Sequence, residues 1–210
     1  ILEKMNLGDD VVEILFEGAD VGSPSDDKSP EPYLRSLPLE LARHQDTLLA
    51  YEMNGEVLPI EHGYPIRLIV PGWYGMAHVK WLSKLTVLTK PFSGYFQGEK
   101  YVLKYTDGTE KPVQEMQVKS AITSPNMNET LKCCTEYHIS GHAWSGRTGI
   151  AKVEVSVDGG NSWHMAILTG PSDRYSWQQW SYKWTPNSIG EHVILSRATN
   201  INGVVQPLES

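Results

Sequence analysis

The chain has 210 residues, 40% of them hydrophobic and 20% charged, which is ordinary for a globular protein of one or two domains. Its net charge of −7 excludes general binding of the whole surface to nucleic acid, although a local cationic pocket is compatible with it. No run of about 18 apolar residues occurs, so we expect no membrane span. The chain opens ILEKMNLGDD, without an initiator methionine or a targeting segment, which indicates a piece of a longer protein.

The first 45 residues predict a strand, a loop and a helix. Residues 11–20, VVEILFEGAD, are typical of a buried strand that ends in a turn, and the next dozen residues are rich in Pro, Ser and Asp, which favours a loop. The segment SLPLELARHQ, residues 36–45, predicts a helix, with Ser36 as its cap and Pro38 in its first turn.

Residues 48–88 predict a hairpin followed by two strands. Asn54-Gly55 stands between two apolar runs, which is a strong hairpin signal. The strand IRLIV then leads into the turn PGWYG, where Gly72 and Gly75 allow a sharp bend and close approach of the backbone. The basic and aromatic segment HVKWL and the strand KLTVL follow.

From about Gln117 the pattern changes to short alternating strands at roughly ten-residue spacing, which predicts an all-β sandwich. These strands are YHISGHAW, AKVEVSV, WHMAIL, WSYKW and EHVILSRATN. The segment from Ser156 to Trp163 resembles an Asp-box turn, in which Asp158 bonds the backbone and stabilises a hairpin. The many tryptophans fit the core of such a sandwich, and a carbohydrate-binding module is the alternative for this half.

Two histidines, an arginine and a lysine interrupt the otherwise apolar segment 62–88: His62, Arg67, His78 and Lys80. Burying Arg67 and Lys80 is costly unless an anion meets them. Either Lys80 extends to solvent while Arg67 pairs with Glu61 or Asp20, or the four residues line a pocket for a phosphorylated, partly aromatic ligand. The residues alone leave both interpretations open.

The chain offers little for a metal ion. His138 and His142 share one face of a predicted strand but have no evident third ligand. Cys133 and Cys134 are adjacent, and on a strand their side chains would point to opposite faces, so a buried or edge thiol is expected there. We therefore assign no metal ligand within the chain.

Several long motifs together resemble the sulfite oxidase family of molybdenum enzymes. LLAYEMNGEVLPIEHGYPIRLIVPGWYGMAHVKWL carries the phrases AYEMNG, HGYPIR, VPG and VKWL in that family's order. AITSP and GHAWSGRTGIAKVEVSVDGGNSWHMAIL resemble the start and the central strands of its immunoglobulin-like dimerisation domain. The resemblance implies a mixed α+β C-terminal part of a sulfite-oxidase-type molybdopterin domain (residues 1–118), followed by an all-β immunoglobulin-like sandwich (residues 119–210).

The resemblance also implies roles for individual residues. In the family the corresponding positions contact the molybdopterin cofactor, and here they are Asp20, His62, Arg67, His78, Val79 and Lys80. A tyrosine beside the metal follows an aromatic-Gln pair, which points to Tyr101 after Phe96-Gln97, with Tyr95 as the alternative. The cysteine that holds molybdenum in the family lies upstream of FEGAD, so we expect it outside this chain and expect the chain alone to be inactive.

The function that the resemblance implies is oxidation of sulfite, or a related sulfur compound, to sulfate by oxygen-atom transfer. Electrons would pass to a cytochrome c or haem acceptor, and the C-terminal domain would form a homodimer. A nitrate-reductase-like enzyme and a non-catalytic dimerisation module are the alternatives. A periplasmic location is expected if the protein is bacterial.

Overall fold

Antiparallel strand pairs make up most of the regular structure in this computed structural model, which describes residues 2–105 and 107–207. The chain divides into two compact units, Ile1–Gln114 and Glu115–Ser210. The sequence-based domain boundary at 118/119 stays a prediction. None of the helices among the described residues is long and apolar enough to cross a membrane.

Among its described residues the first unit contains nine strands and short helical segments. Its strands are β1 (Glu13–Gly22), β2 (Glu31–Pro38), β3 (Leu48–Ala50), β4 (Glu52–Met53), β5 (Glu56–Val57), β6 (Arg67–Ile69), β7 (Leu82–Leu88), β8 (Val102–Lys104) and β9 (Glu110–Pro112). Its helical segments are α1 (Leu39–Ala42), the 3-10 turns Leu2–Lys4, Ile60–His62 and Gly75–Ala77, and the π-helical turn Phe96–Lys100. This unit is therefore mostly β among its described residues, and the expected mixed α+β character is not confirmed.

The core of the first unit forms against the sheet β2-β1-β7. Alternation along β1 sends Ile14 and Phe16 inward, where they are 0% and 2% exposed. Leu68 and Val70, from β6 and the residue after it, and Val79 pack into the same core. Burying each of these side chains contributes about 1.5–3 kcal/mol, so the core fixes the segment 67–82 firmly against the sheet.

The expected helix over residues 36–45 is largely wrong. Strand β2 continues through Ser36 to Pro38, and only the four residues Leu39–Ala42 are α-helical. Ser36 does not cap the helix; its backbone N–H donates to Gln97 Oε1 at 3.0 Å, and its hydroxyl accepts from Gln97 Nε2 at 2.7 Å. Pairing of β2 with β1 and this buried link outweigh the local helical signal.

The second unit is a sandwich of two antiparallel sheets. Its strands are β10 (Lys119–Ser124), β11 (Tyr137–Trp144), β12 (Ile150–Ser156), β13 (His164–Met165), β14 (Ile167–Thr169), β15 (Gln178–Trp184) and β16 (Leu195–Asn200). The sheets have the orders β10-β11-β15-β14 and β13-β12-β16, and Trp180, Ile139 and Val155 lie in the core between them.

Two details of the second unit differ from the sequence-based expectation. WHMAIL is not one strand, because β13 pairs with β12 in one sheet while β14 pairs with β15 in the other. Cys133 and Cys134 are exposed and lie in a turn before β11, and neither is buried or on a strand.

Candidate functional site

A 3-10 turn at Ile60–His62 gathers Arg67 and Lys80, which the sequence singled out, together with Trp81. Lys80 Nζ donates to the Glu61 carbonyl at 3.0 Å, and Trp81 Nε1 donates to the Ile60 carbonyl at 2.9 Å. Arg67 Nη1 donates to the His62 carbonyl at 2.9 Å. The strand β6 and the segment just before β7 thus bring Arg67 and Lys80, thirteen positions apart in sequence, to neighbouring carbonyls of one turn.

Gly63 lets these two cations approach the turn. Its φ of +103° lies in the left-handed region, and a Cβ at this position would sit 2.9 Å from Lys80 Cβ and 3.2 Å from Arg67 Cβ. Any larger residue would push the two side chains apart as well as strain the backbone. The Arg67–Gly63–Lys80 cradle therefore depends on this glycine.

Neither cation of the cradle is neutralised by a carboxylate among the described residues. Arg67 Nε is buried there without a hydrogen-bond partner, and burial lowers the pKa of Arg67 below its ordinary value. Lys80 Nζ lies 4.3 Å from the centre of the Trp81 ring. Pairing of Arg67 with Glu61 or Asp20, the alternative left open by the sequence, is not found among these residues. An unpaired buried N–H beside a second cation fits an anionic, acceptor-rich group such as the phosphate tail of molybdopterin.

Asp20 lies in a separate hollow next to this cradle. The hollow has a volume of about 510 Å³ and is lined by Ala19, Asp20, Tyr64, Pro65, Trp81, Leu82 and Ser83. The Ala19 N–H donates to the Trp81 carbonyl at 2.8 Å, which ties the end of β1 to the start of β7. Arg67 and Lys80 do not belong to the lining, but Trp81, whose ring lies under Lys80 Nζ, does.

His78 and Val79 have internal partners. His78 Nδ1 accepts the Val70 N–H at 3.5 Å and Nε2 faces the Trp73 carbonyl at 3.3 Å, which assigns a neutral ring with the proton on Nε2. Burial lowers the pKa of His78, the bond to Trp73 opposes this, and the charge of Arg67 adds to it. Val79 is 0% exposed, and its carbonyl accepts the Leu68 N–H at 2.8 Å. Both residues shape the turn that carries Lys80.

Tyr101 follows the π-helical turn Phe96–Lys100 and is half-buried. Its ring stacks on that of Phe96 with centroids 6.4 Å apart, and its carbonyl accepts the Val113 N–H at 2.8 Å. Among the described residues no hydrogen bond or ring contact joins it to Arg67 or Lys80. Tyr95, the alternative, packs edge-on against Phe96 and has Lys28 Nζ over its ring at 4.1 Å.

Arg35 was missed by the sequence analysis and lies next to Tyr101. It is 1% exposed, with Nη1 donating to the Phe96 carbonyl at 2.7 Å and Nη2 to the Val113 carbonyl at 3.0 Å. Its guanidinium carbon lies 5.9 Å from the centre of the Tyr101 ring. The signal was present in the sequence, because an arginine within the apolar run YLRSLPL is unusual on a buried strand.

Tyr33 connects this region electrostatically to Asp20. Its hydroxyl donates to the Met76 carbonyl at 2.7 Å. Burial raises the pKa of Tyr33 to about 12; Arg35 opposes the rise, and the nearby Tyr101 and Asp20 add to it. The charges of Asp20 and Tyr101 thus both act on the Tyr33 hydroxyl, a residue that the sequence did not single out.

No cluster of three or more His, Cys, Asp or Glu side chains suited to a metal ion occurs among the described residues. His138 Nδ1 lies 3.1 Å from the Ser181 hydroxyl, and the His142 ring packs against Trp177 with centroids 6.0 Å apart. Each of these histidines therefore has a partner within the sandwich.

Comparisons with known proteins match both units. Residues 1–96 match the model of the oxidoreductase molybdopterin binding domain, and residues 110–210 match that of the Mo-co oxidoreductase dimerisation domain. Mitochondrial sulfite oxidase of Homo sapiens is 36% identical over 210 residues, covering 92% of this chain and 37% of that protein. Inducible nitrate reductase [NADH] 2 of Glycine max is 32% identical over 194 residues, covering 80% of this chain and 22% of that protein.

Among solved structures, the sulfane dehydrogenase SoxCD from Paracoccus pantotrophus resembles the chain with a TM-score of 0.82 and 34% sequence identity. The match covers 98% of this chain and 51% of the SoxCD chain. The chain thus spans about half of that structure and little more than a third of human sulfite oxidase.

Proposed function

The chain belongs to the sulfite oxidase family of molybdopterin oxidoreductases, and from that premise we propose that the protein containing it oxidises sulfite or a related sulfur compound. The observation on which this proposal mainly rests is the Arg67–Gly63–Lys80 cradle, in which the buried Arg67 Nε has no hydrogen-bond partner among the described residues. The two electrons released would pass to a cytochrome c or haem acceptor.

The residues of the cradle fit the anionic end of the cofactor. Arg67 and Lys80 would bind its phosphate, since both offer donors and neither is neutralised by a described carboxylate. His62 and Asp20, both exposed beside the cradle and its neighbouring hollow, would bond the pterin ring. His78 and Val79 would hold the turn in the shape that presents Lys80. The bound cofactor supplies oxygen-atom transfer and two-electron redox chemistry.

Tyr101 is the residue of this chain that we propose to contact the substrate. A phenol can donate a hydrogen bond to an oxyanion as charge develops on it. Arg35 holds the backbone on both sides of Tyr101 through the Phe96 and Val113 carbonyls. The backbone that carries Tyr101 is therefore held by a buried side chain, which helps to position the phenol toward a substrate.

Variants at the cradle test the cofactor assignment. Arg67→Ala or Lys80→Ala in the holoenzyme removes a donor from the cradle, and we expect molybdenum and pterin content to fall by about 10-fold or more. Lys84→Ala is the matched control, because Lys84 is exposed and its side chain pairs at the surface with Glu17 at 3.5 Å. Unchanged molybdenum and pterin content in both cradle variants would refute the assignment.

The substrate is tested on the same holoenzyme. Nitrate reduction is the second candidate, favoured by the similarity to the soybean nitrate reductase. Turnover of sulfite and of nitrate by the molybdenum-loaded protein, measured side by side, distinguishes the two. Faster turnover of nitrate would replace sulfite oxidation as the proposed activity, and no turnover of either would leave the dimerisation module as the better description.

A further inference from the structure

Cys133 and Cys134 face each other across a single peptide bond. Their sulfur atoms lie 3.3 Å apart, and both residues are exposed. Adjacent side chains diverge on a strand, but these two residues lie in a turn, and the left-handed φ of +60° at Cys134 rotates its side chain toward that of Cys133. The contact raises the pKa of the Cys133 thiol through its hydrogen bond to Cys134.

Pro186 holds the turn in this shape. Its carbonyl accepts the Cys134 N–H at 2.8 Å and the Cys133 thiol at 3.5 Å. Just before the turn, the Lys132 N–H donates to the Tyr137 hydroxyl at 2.8 Å. A left-handed backbone costs free energy at any residue other than glycine, and such a conformation persists only when its surroundings fix it. The paired sulfurs are thus held by the sandwich rather than brought together by chance.

A hollow of about 720 Å³ gives small molecules access to the pair. Cys133 belongs to its lining, together with Trp184, Pro186 and the side chains around Glu129 and His192. Pockets of about 300–1,000 Å³ accommodate small organic ligands. The hollow is therefore large enough to admit a peptide-sized disulfide beside the exposed Cys133.

We propose that the Cys133–Cys134 turn is a vicinal dithiol site that small-molecule disulfides oxidise reversibly to a disulfide between the two residues. One cysteine thiolate attacks a sulfur of the external disulfide, forms a mixed disulfide and expels the first small thiol. The second cysteine then attacks the protein sulfur of that mixed disulfide and expels the second small thiol. The protein loses two electrons and two protons, and the external disulfide gains both.

Because the two cysteines are adjacent in the chain, the backbone constrains the disulfide that forms between them. A disulfide needs its sulfurs about 2.05 Å apart, so the pair closes by little more than 1 Å. Consecutive Cα atoms are about 3.8 Å apart, which is less than the separation usual for a disulfide, so the product is strained and readily reduced. Oxidation and reduction therefore both occur in mild thiol–disulfide mixtures.

The test uses the full-length protein without need of its cofactor. After equilibration with oxidised and reduced glutathione, mapping of the peptide that contains both cysteines should show loss of two hydrogen atoms and no glutathione adduct. Dithiothreitol should restore the original mass. Cys133→Ser and Cys134→Ser, each lacking the second thiol, should instead accumulate one glutathione adduct on the remaining cysteine.

Three results would overturn the proposal: an unmodified wild-type peptide, a persistent glutathione adduct on it, or a disulfide between two chains. None of these measurements depends on molybdenum content or sulfite turnover. The dithiol site and the proposed oxidoreductase function can therefore fail independently.

Discussion

At the scale of single residues, Arg35 is a cation buried to 1% exposure. It is held by two main-chain carbonyls, its Nε has no hydrogen-bond partner among the described residues, and burial lowers its pKa. A guanidinium serves two carbonyls at once because its donors form a rigid fork, whereas an ammonium is a single point. Arg35 therefore links the turn before Tyr101 to Val113, the residue that follows β9.

Arg35→Lys tests this link. We expect the free energy of unfolding to fall by about 2 kcal/mol, because lysine keeps the buried charge but leaves one of the two carbonyls unpaired. Denaturant unfolding of the purified protein measures the change. Arg43→Lys, at an exposed position just after α1, is the matched control and should leave stability unchanged. Equal stability of both variants would show that the two carbonyl contacts contribute nothing.

At the scale of elements, the turn between β6 and β7 depends on a neutral histidine. His78 receives the Val70 N–H and faces the Trp73 carbonyl, so both ring nitrogens hold the turn closed. Because the folded pKa of His78 lies below its ordinary value of about 6.5, the unfolded chain binds the proton more readily. The stability that neutral His78 contributes is therefore complete above its ordinary pKa of about 6.5 and is lost as the pH falls below it.

His78→Gln should therefore flatten the pH dependence of stability. We expect the melting temperature of the unmodified protein to fall more than that of the variant between about pH 7.5 and about pH 5.5. Thermal unfolding of the cofactor-free protein at both values measures the difference. The exposed His62 supplies the control, since His62→Gln should keep the pH dependence of the unmodified protein. Parallel curves for His78→Gln and the unmodified protein would contradict the role of His78.

The sequence correctly predicted the turns whose stabilising residues are close together in the chain. Asn54 and Gly55 both have positive φ, at +55° and +83°, and join β4 to β5 as the sequence indicated. Asp158 accepts from the Ser162 N–H at 2.9 Å and from the Ser156 and Ser162 hydroxyls, and the Ser162 bonds hold the pKa of Asp158 well below its usual range. These motifs carry their own hydrogen-bond partners within a few residues, so the sequence contains the whole interaction.

At the scale of the whole molecule, the second unit exposes apolar side chains on edge strands. Met165 on β13 is 59% exposed and Ile167 on β14 is 67% exposed, and each strand is at the edge of its sheet. Exposed edges with apolar residues favour association with another chain. The match to a Mo-co oxidoreductase dimerisation domain supports dimerisation through this unit.

Ile167→Lys should weaken that dimer. We expect light scattering to give twice the chain mass for the unmodified protein and a lower average mass for the variant at the same concentration, because a charge on the edge strand is costly to bury. Val57→Lys, at a similarly exposed position of the first unit (61%), is the control and should remain dimeric. A fully dimeric Ile167→Lys protein would place the interface elsewhere.

The sequence by itself determined the family, the sandwich character of the second half and the turns whose partners are local. Only the tertiary structure decided that Arg67 and Lys80 meet at the turn Ile60–His62, that Arg35 supports Tyr101, and that Cys133 and Cys134 face each other. Tertiary pairing also decided that residues 36–38 extend strand β2 and that only Leu39–Ala42 of the expected helix 36–45 is helical. Each of these outcomes depends on partners distant in sequence, and burial and pairing with such partners outweigh the preferences of the local segment.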